Sequence, residues 1–393
     1  MNARWEKTAV LFLGSQCVTL FGSTLVQMAI VWYVTLQTGS GAWVAAFSVA
    51  AYLPQFLISF ASGIWADRYH KKGLIAGADV AIATLTGLMI LLMPLLRERL
   101  LACLLVLTAL RSLGAGIQTP AVYAALPQLV PKAELMRYNG LHASMQAVVN
   151  FAAPLAAGLL LAQQTLRAVL LVDVVTAVFG VGLLLCLPLN EAEQEKGAAS
   201  WEEESRAPLR VIIAQAKLWR LLVLYGFFTF FCVPGGYLAG LYVRRTFAAT
   251  YWVLSLVEVV GFLGMLTGGI VISRWGSRWA KQTTLVAALS AFGVLNMMLG
   301  AAAQLAGYLG VMFFYGVAMV AVQTTVTTML QETAIPEQQG RVFGCMSSIY
   351  AGALPAGMAL FGPLSDWLPL QAIMVGTGGL LLGCAARLAM VQR

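Results

Sequence analysis

The stretch Gly63-Ile64-Trp65-Ala66-Asp67-Arg68-Tyr69-His70-Lys71-Lys72 closes one long apolar run. It returns as Gly269-Ile270-Val271-Ile272-Ser273-Arg274-Trp275-Gly276-Ser277-Arg278 at the close of another. Glycine, isoleucine, an arginine, an aromatic and a final cation coincide at an offset of 206 residues, Gly269 against Gly63. A second block agrees. Gln118-Thr119, Pro131, Arg137 and Gly140 are matched by Gln323-Thr324, Pro336, Arg341 and Gly344 at offsets of 205 or 204. Self-similarity at a fixed half-chain period marks a duplicated architecture. The chain therefore reads as two related halves, and the rest of the sequence says what each half is.

Of the 393 residues, 60% are hydrophobic and 10% charged, with a mean hydropathy of +0.83. A water-soluble domain carries roughly 25% charged residues, so this chain cannot cover a water-facing surface. Apolar runs fall at about 8–36, 42–64, 74–96, 100–130, 139–163, 166–189, 218–245, 251–273, 283–303, 307–331, 342–363 and 370–390. Each exceeds or approaches the ~20 residues needed to cross a bilayer as a helix. The expected fold is an all-α integral membrane protein of twelve transmembrane helices in two pseudo-symmetric halves. The halves are 1–189 and 218–393. The polar stretch 190–217, with six of the sixteen acidic residues, reads as a cytoplasmic linker. The first run is too long for a cleavable signal peptide and lacks a small-residue cleavage site. Six cysteines lie inside apolar runs without metal-ligand spacing, so neither zinc nor a disulfide framework is expected.

Lysine and arginine set the orientation. With the N-terminus in the cytoplasm, 18 of the 24 basic residues fall on that side. Five fall outside (Arg97, Arg99, Arg167, Arg244, Arg245), and Arg111 lies within a span. Both termini are therefore expected in the cytoplasm. The net charge of +8 reports this asymmetry, because the basic residues are dispersed through short loops and form no nucleic-acid patch. Two parallel six-span halves imply a substrate site near the bilayer midplane, where the halves meet.

The first loop copy resembles the signature of the major facilitator superfamily at Gly63, Asp67, Arg68, Lys71 and Lys72, departing at His70 where glycine is usual. The likeness runs the length of the chain. A narrower resemblance is to the macrolide efflux proteins among the drug:proton antiporters. It rests on Val26-Gln27-Met28-Ala29-Ile30, Thr38-Gly39-Ser40, Gly77-Ala78-Asp79, Arg111-Ser112, Thr119-Pro120-Ala121, Gln331-Glu332 and Gly340-Arg341-Val342-Phe343. The resemblance implies a proton-coupled exporter of amphipathic small molecules working by alternating access in a bacterial inner membrane. It also implies a cytoplasmic gate built from Gly63, Asp67, Arg68, Lys71 and Lys72 with Arg274, Arg278 and Arg341. A monomer needing no cofactor or metal is expected. Siderophore or lysolipid export, or uptake, stays open on the same fold.

Charge inside hydrocarbon is costly, about 2.5–3.5 kcal/mol on insertion scales, so embedded charges are candidates for function. Setting aside loop, linker and terminal acids leaves Asp79, Asp173 and Glu258 inside spans, with Asp67 and Asp366 at span ends. Glu258 is the expected proton carrier, with Asp173, Asp79 and Arg111 as the other residues expected to take part in proton coupling. Glu258 lies about two turns into the eighth span, which lines the cavity in the resembled superfamily, and desolvation favours its neutral form. Arg111 resembles the arginine of an antiporter motif in the fourth span and is expected to balance an embedded acid, either Asp173 or Asp79. Expected cavity walls include Tyr52, Phe231, Tyr237, Phe262, Tyr315 and Tyr350. Gln27, Gln118, Gln146, Asn150 and Gln323 are the expected polar contacts. A channel is disfavoured because no pore-loop signature is present. An enzyme is disfavoured because no nucleophile, base or metal-ligand cluster appears, and no nucleotide-binding loop supports ATP as the energy source.

Overall fold

The computed structural model describes residues 2–96, 99–131, 134–187, 215–247, 250–275, 278, 280–334 and 339–391. The described residues form helices and no strands. The first half holds α1 (Asn2–Thr38), α2 (Gly41–Arg68), α3 (Lys71–Leu92), α4 (Leu100–Leu129), α5 (Leu135–Gln163) and α6 (Leu166–Leu185). The second begins with α7 (Ala216–Phe231), α8 (Val233–Gly236) and α9 (Ala239–Thr246). It continues through α10 (Tyr251–Trp275), α11 (Lys281–Ala301), α12 (Leu305–Thr333), α13 (Gln339–Trp367) and α14 (Leu370–Val391). Twelve segments are long and apolar enough to cross a membrane, as expected from the run lengths. Most of the expected linker, 190–217, lies outside the described residues.

One span departs from expectation. The seventh, read as continuous over 218–245, is a broken helix made of α7, α8 and α9. Pro234 has no N–H to continue the ladder, and Gly235-Gly236 follow it. Such a break survives in an apolar interior only if neighbours re-satisfy the backbone. Here the Cys232 carbonyl accepts from the Gly236 N–H at 2.9 Å and from the Tyr315 hydroxyl of α12 at 3.1 Å.

The chain divides into two compact units. One comprises the described residues of Met1–Gln37, Ala46–Gly197 and Thr250–Ser255, the other those of Thr38–Ala45, Ala198–Ala249 and Leu256–Arg393. Within the first, α3 packs on α4 and α6. Within the second, α11 packs on α12 and α14, the same three positions of the repeat. The internal duplication is thus visible in packing as well as in motif spacing. At one end of the first unit, Phe12, Leu13, Ala66, Ile75, Leu126 and Leu184 form a buried cluster drawn from five helices. In the second unit, Asn296 of α11 donates to the Met374 carbonyl (3.1 Å) and to the Thr377 hydroxyl (2.9 Å) of α14.

Candidate functional site

The three embedded acids have different surroundings. Asp173 on α6 is 2% exposed and Arg111 on α4 is 8% exposed, and the two form a two-pronged ion pair. The guanidinium Nη1 donates to one carboxylate oxygen and Nη2 donates to the other at 3.2 Å. Thr86 of α3 accepts from the same guanidinium and lies 3.2 Å from Asp173, while the Ser23 hydroxyl of α1 sits 3.4 Å from it. The alternative left open by the sequence is thereby resolved: Asp173, not Asp79, is the partner of Arg111. A buried charge needs both an opposite charge and hydrogen bonds to its remaining lone pairs, and four helices contribute to meet that need.

Asp79 on α3 is 4% exposed and has no cation of its own among the described residues. Its Oδ1 accepts from the Gln118 amide of α4 at 2.9 Å. The same amide nitrogen lies 3.5 Å from Oε1 of Gln16 on α1. Gln118, expected to contact substrate, is therefore also bound to an acid.

Glu258 on α10 is half-buried, and among the described residues it makes neither hydrogen bond nor ion pair. Val257 beside it is buried, and the fully buried Tyr308 of α12 lies within electrostatic reach. Of the expected wall residues, Tyr237 and Tyr350 are brought together, hydroxyl to hydroxyl at 2.8 Å. Phe231 stacks on Phe227 at 6.0 Å between ring centres. Tyr52, Phe262, Gln27, Gln146 and Gln323 are half-buried and Asn150 is exposed. Tyr315 must be corrected. It is 2% exposed, packed against Phe292, and its hydroxyl is committed to the broken seventh span, so it cannot form a cavity wall.

The surroundings of the gate residues Gly63, Asp67, Arg68 and Arg341 lie outside what the structure describes. Arg274 and Arg278 are exposed. Lys72 has a use that its loop position did not suggest. Its ammonium donates to the Leu185 and Leu187 carbonyls at 2.9 and 2.8 Å, capping the C-terminus of α6 where cations are favoured. Ser273, which stands where the first copy has Asp67, bonds its own turn through the Ile270 carbonyl.

A further cluster went unread in the sequence. Asp366, near the end of α13, accepts from the backbone N–H groups of Gly41 (2.7 Å) and Ala42 (2.9 Å) and from the Ser40 hydroxyl (2.8 Å). It thus caps the first turn of α2, where a carboxylate meets the positive end of the helix dipole. Arg245 pairs with it at 2.6 Å and donates to the carbonyls of Gly39 and Ser365. Gly39 turns the chain with φ 61°, a conformation glycine adopts without a Cβ clash. The only sequence signal was an acid at one span end and a basic pair at another. A cavity of about 290 Å³ opens beside this cluster, lined in part by Tyr242, Thr246, Trp367 and Gln371, and none of the expected substrate contacts borders it.

The chain matches the family model described as Major Facilitator Superfamily over residues 12–358. It is 26% identical to Macrolide efflux protein A of Streptococcus pyogenes, with 99% of this chain and 96% of that protein covered. It is 24% identical to the Multidrug efflux pump Tap of Mycobacterium bovis, with 93% and 88% covered. Among solved structures, a bacterial homologue of the iron transporter ferroportin in an inward-facing state matches with a TM-score of 0.77. That match is at 17% identity over 97% of this chain and 98% of that one. The nucleoside transporter NupG matches with a TM-score of 0.67 at 14% identity over 100% of both chains. At these identities, likeness to the solved structures is likeness of fold.

Proposed function

This chain belongs to the major facilitator superfamily, and from that membership we propose that it is a proton-driven exporter of amphipathic small molecules. Family and fold make it a transporter. The macrolide and multidrug efflux relatives, aligned over nearly all of the chain, support export of bulky amphipathic compounds. The observation that carries the coupling is Glu258, a half-buried intramembrane carboxyl with no hydrogen-bonding or ionic partner among the described residues. A structural glutamate would be satisfied by a donor, because an unpaired buried charge is costly. One left without a donor is suited to exchange a proton with whichever face has access. In this mechanism Glu258 takes its proton from outside and loses it to the cytoplasm as substrate travels the other way. Alternating access keeps the two exchanges apart, and the loop after α2 closes the cytoplasmic side.

Efflux of a fluorescent macrolide from proteoliposomes with an imposed proton gradient tests this. Glu258→Gln is expected to abolish uphill transport while leaving downhill exchange, and Glu258→Asp to retain part of the pumping. Pumping by Glu258→Gln with the wild-type pH dependence would reject Glu258 as the carrier.

The charge asymmetry of the loops supports placement in the cytoplasmic membrane with both termini inside. In a cysteine-free background, cysteines at His70 and Ala280 are expected to react only from the cytoplasmic side, and one at Gln164 only from outside. All three positions are exposed. Reaction at Gln164 from the cytoplasm would invert the topology.

A further inference from the structure

Glu258 shares its seam with a second polar side chain that lacks a partner. Gly261 of α10 lies against Met312 of α12, Gly264 against Phe313 and Gly268 against Val317, so the two helices run side by side in parallel. Glu258 precedes Gly261 by three residues and Tyr308 precedes Met312 by four, spacings that keep a residue on the same helix face. One turn back along the seam the two therefore stand at one level, and Tyr308 is within electrostatic reach of Glu258. The Tyr308 ring is fully buried, stacked on Tyr242 of α9 at 5.3 Å and set edge-on to Phe247 at 5.7 Å. Its hydroxyl is buried with no hydrogen-bond partner among the described residues. Tyr242, by contrast, satisfies its own hydroxyl on the Gly300 and Ala302 carbonyls. The charges at the ends of α9 and α13 are Arg244, Arg245 and Asp366, and Arg245 and Asp366 hold each other. An unpaired buried hydroxyl costs stability that a phenylalanine of the same shape would not.

We propose that Tyr308 is a positioning residue for Glu258: its hydroxyl donates to the carboxylate when Glu258 is ionised and is released when Glu258 takes up a proton. This role rests on Glu258 being the proton carrier, and it supplies the donor that a buried carboxylate needs. A hydrogen bond to an ionised acceptor is roughly twice as strong as one between neutral groups. Ionisation therefore draws the two side chains together, and protonation lets them part. In the structure neither is bonded, which is the released arrangement. Atoms and charge balance. The O–H bond that breaks is that of Glu258, its electron pair stays on the carboxylate, and its proton leaves to water. Tyr308 keeps its own proton throughout. The hydroxyl that is a burden in the released arrangement thus sets the pH at which the carrier unloads.

The test uses the full-length protein in lipid nanodiscs, titrated while infrared difference spectra are recorded. The carboxyl band of Glu258 is the one that Glu258→Gln removes. In Tyr308→Phe its midpoint is expected to move toward alkaline pH by about one unit, because the ionised form loses its donor. The unfolding temperature of Tyr308→Phe should equal or exceed that of the wild type, because the oxygen removed is unsatisfied. Tyr242→Phe is the contrast. It loses a bonded hydroxyl, so its stability should fall while the Glu258 midpoint holds. In the wild type a tyrosine C–O band should shift together with the Glu258 band, and it should stay fixed in Glu258→Gln. A midpoint unmoved by Tyr308→Phe overturns the pairing and leaves Glu258 as the carrier. If Tyr308→Phe does not fold, the coupled tyrosine band decides, and its absence from the wild type overturns the pairing. A spectrum with no band that Glu258→Gln removes overturns the carrier and the pairing together. The spectra need no transport, so a wild type that titrates as expected yet fails to pump sinks the export reading and leaves the pairing standing.

Discussion

Replacing Arg111 by methionine is expected to destabilise the first unit by about 3–5 kcal/mol, the cost of leaving a buried carboxylate without its cation. Asp173 is 2% exposed and cannot turn to water, and its remaining contacts, Thr86 and Ser23, are neutral hydroxyls. The double variant Arg111→Met with Asp173→Leu should recover most of the loss, because an apolar pair of similar volume removes the stranded charge instead of exposing it. The measurement is the thermal unfolding midpoint in detergent for the wild type, both single variants and the double. A double variant no more stable than Arg111→Met would mean that the arginine acts through packing alone. Recovery of stability without recovery of transport would place the pair in the transport cycle as well as in the scaffold.

Gly264→Ala is expected to disrupt the second unit through a backbone collision. A Cβ at Gly264 of α10 would stand 2.0 Å from the Phe313 carbonyl oxygen of α12. The obstacle is main chain, so no rotamer change relieves it and the two helices must move apart. Overpacking of this kind costs about 1–3 kcal/mol and sometimes more. The neighbouring contact is equally close, with Gly316 set 2.2 Å from the Gly261 carbonyl by the same construction, so separation would open the seam over several turns. Gly269→Ala is the control. Nothing lies within 4 Å of its added Cβ, and alanine is the better helix former by about 1 kcal/mol. Folded yield and unfolding temperature should fall for Gly264→Ala and hold or rise for Gly269→Ala. Equal behaviour of the two would show that the α10–α12 seam is looser than the backbone distances require.

The separation between what was legible and what was not follows particular residues. Twelve spans could be read because each is a local property: some twenty apolar residues suffice to make a helix the only way to satisfy the backbone in hydrocarbon. The duplication could be read because Gly63 to Lys72 and Gly269 to Arg278 preserve residue types in register. The break at Pro234 was present in the letters, but its survival inside a span depends on Tyr315, which the sequence suggested as a cavity wall. Asp79, Asp173 and Arg111 could be picked out as embedded charges by elimination, yet nothing local says which acid the arginine meets.

The sequence by itself therefore determined the membrane class, the number of spans, the internal repeat and the short roster of buried charges, because hydrophobicity and length act along the chain. Only the tertiary structure decided that Arg111 takes Asp173, 62 residues away, and leaves Asp79 to Gln118. It alone showed that Lys72 caps α6 and that Asp366 caps α2. A helix apolar nearly all round has no strong polar stripe to declare its inward face. Its rotation and register are set by neighbours such as Gly264 against Phe313, and those settings determine which buried side chains meet.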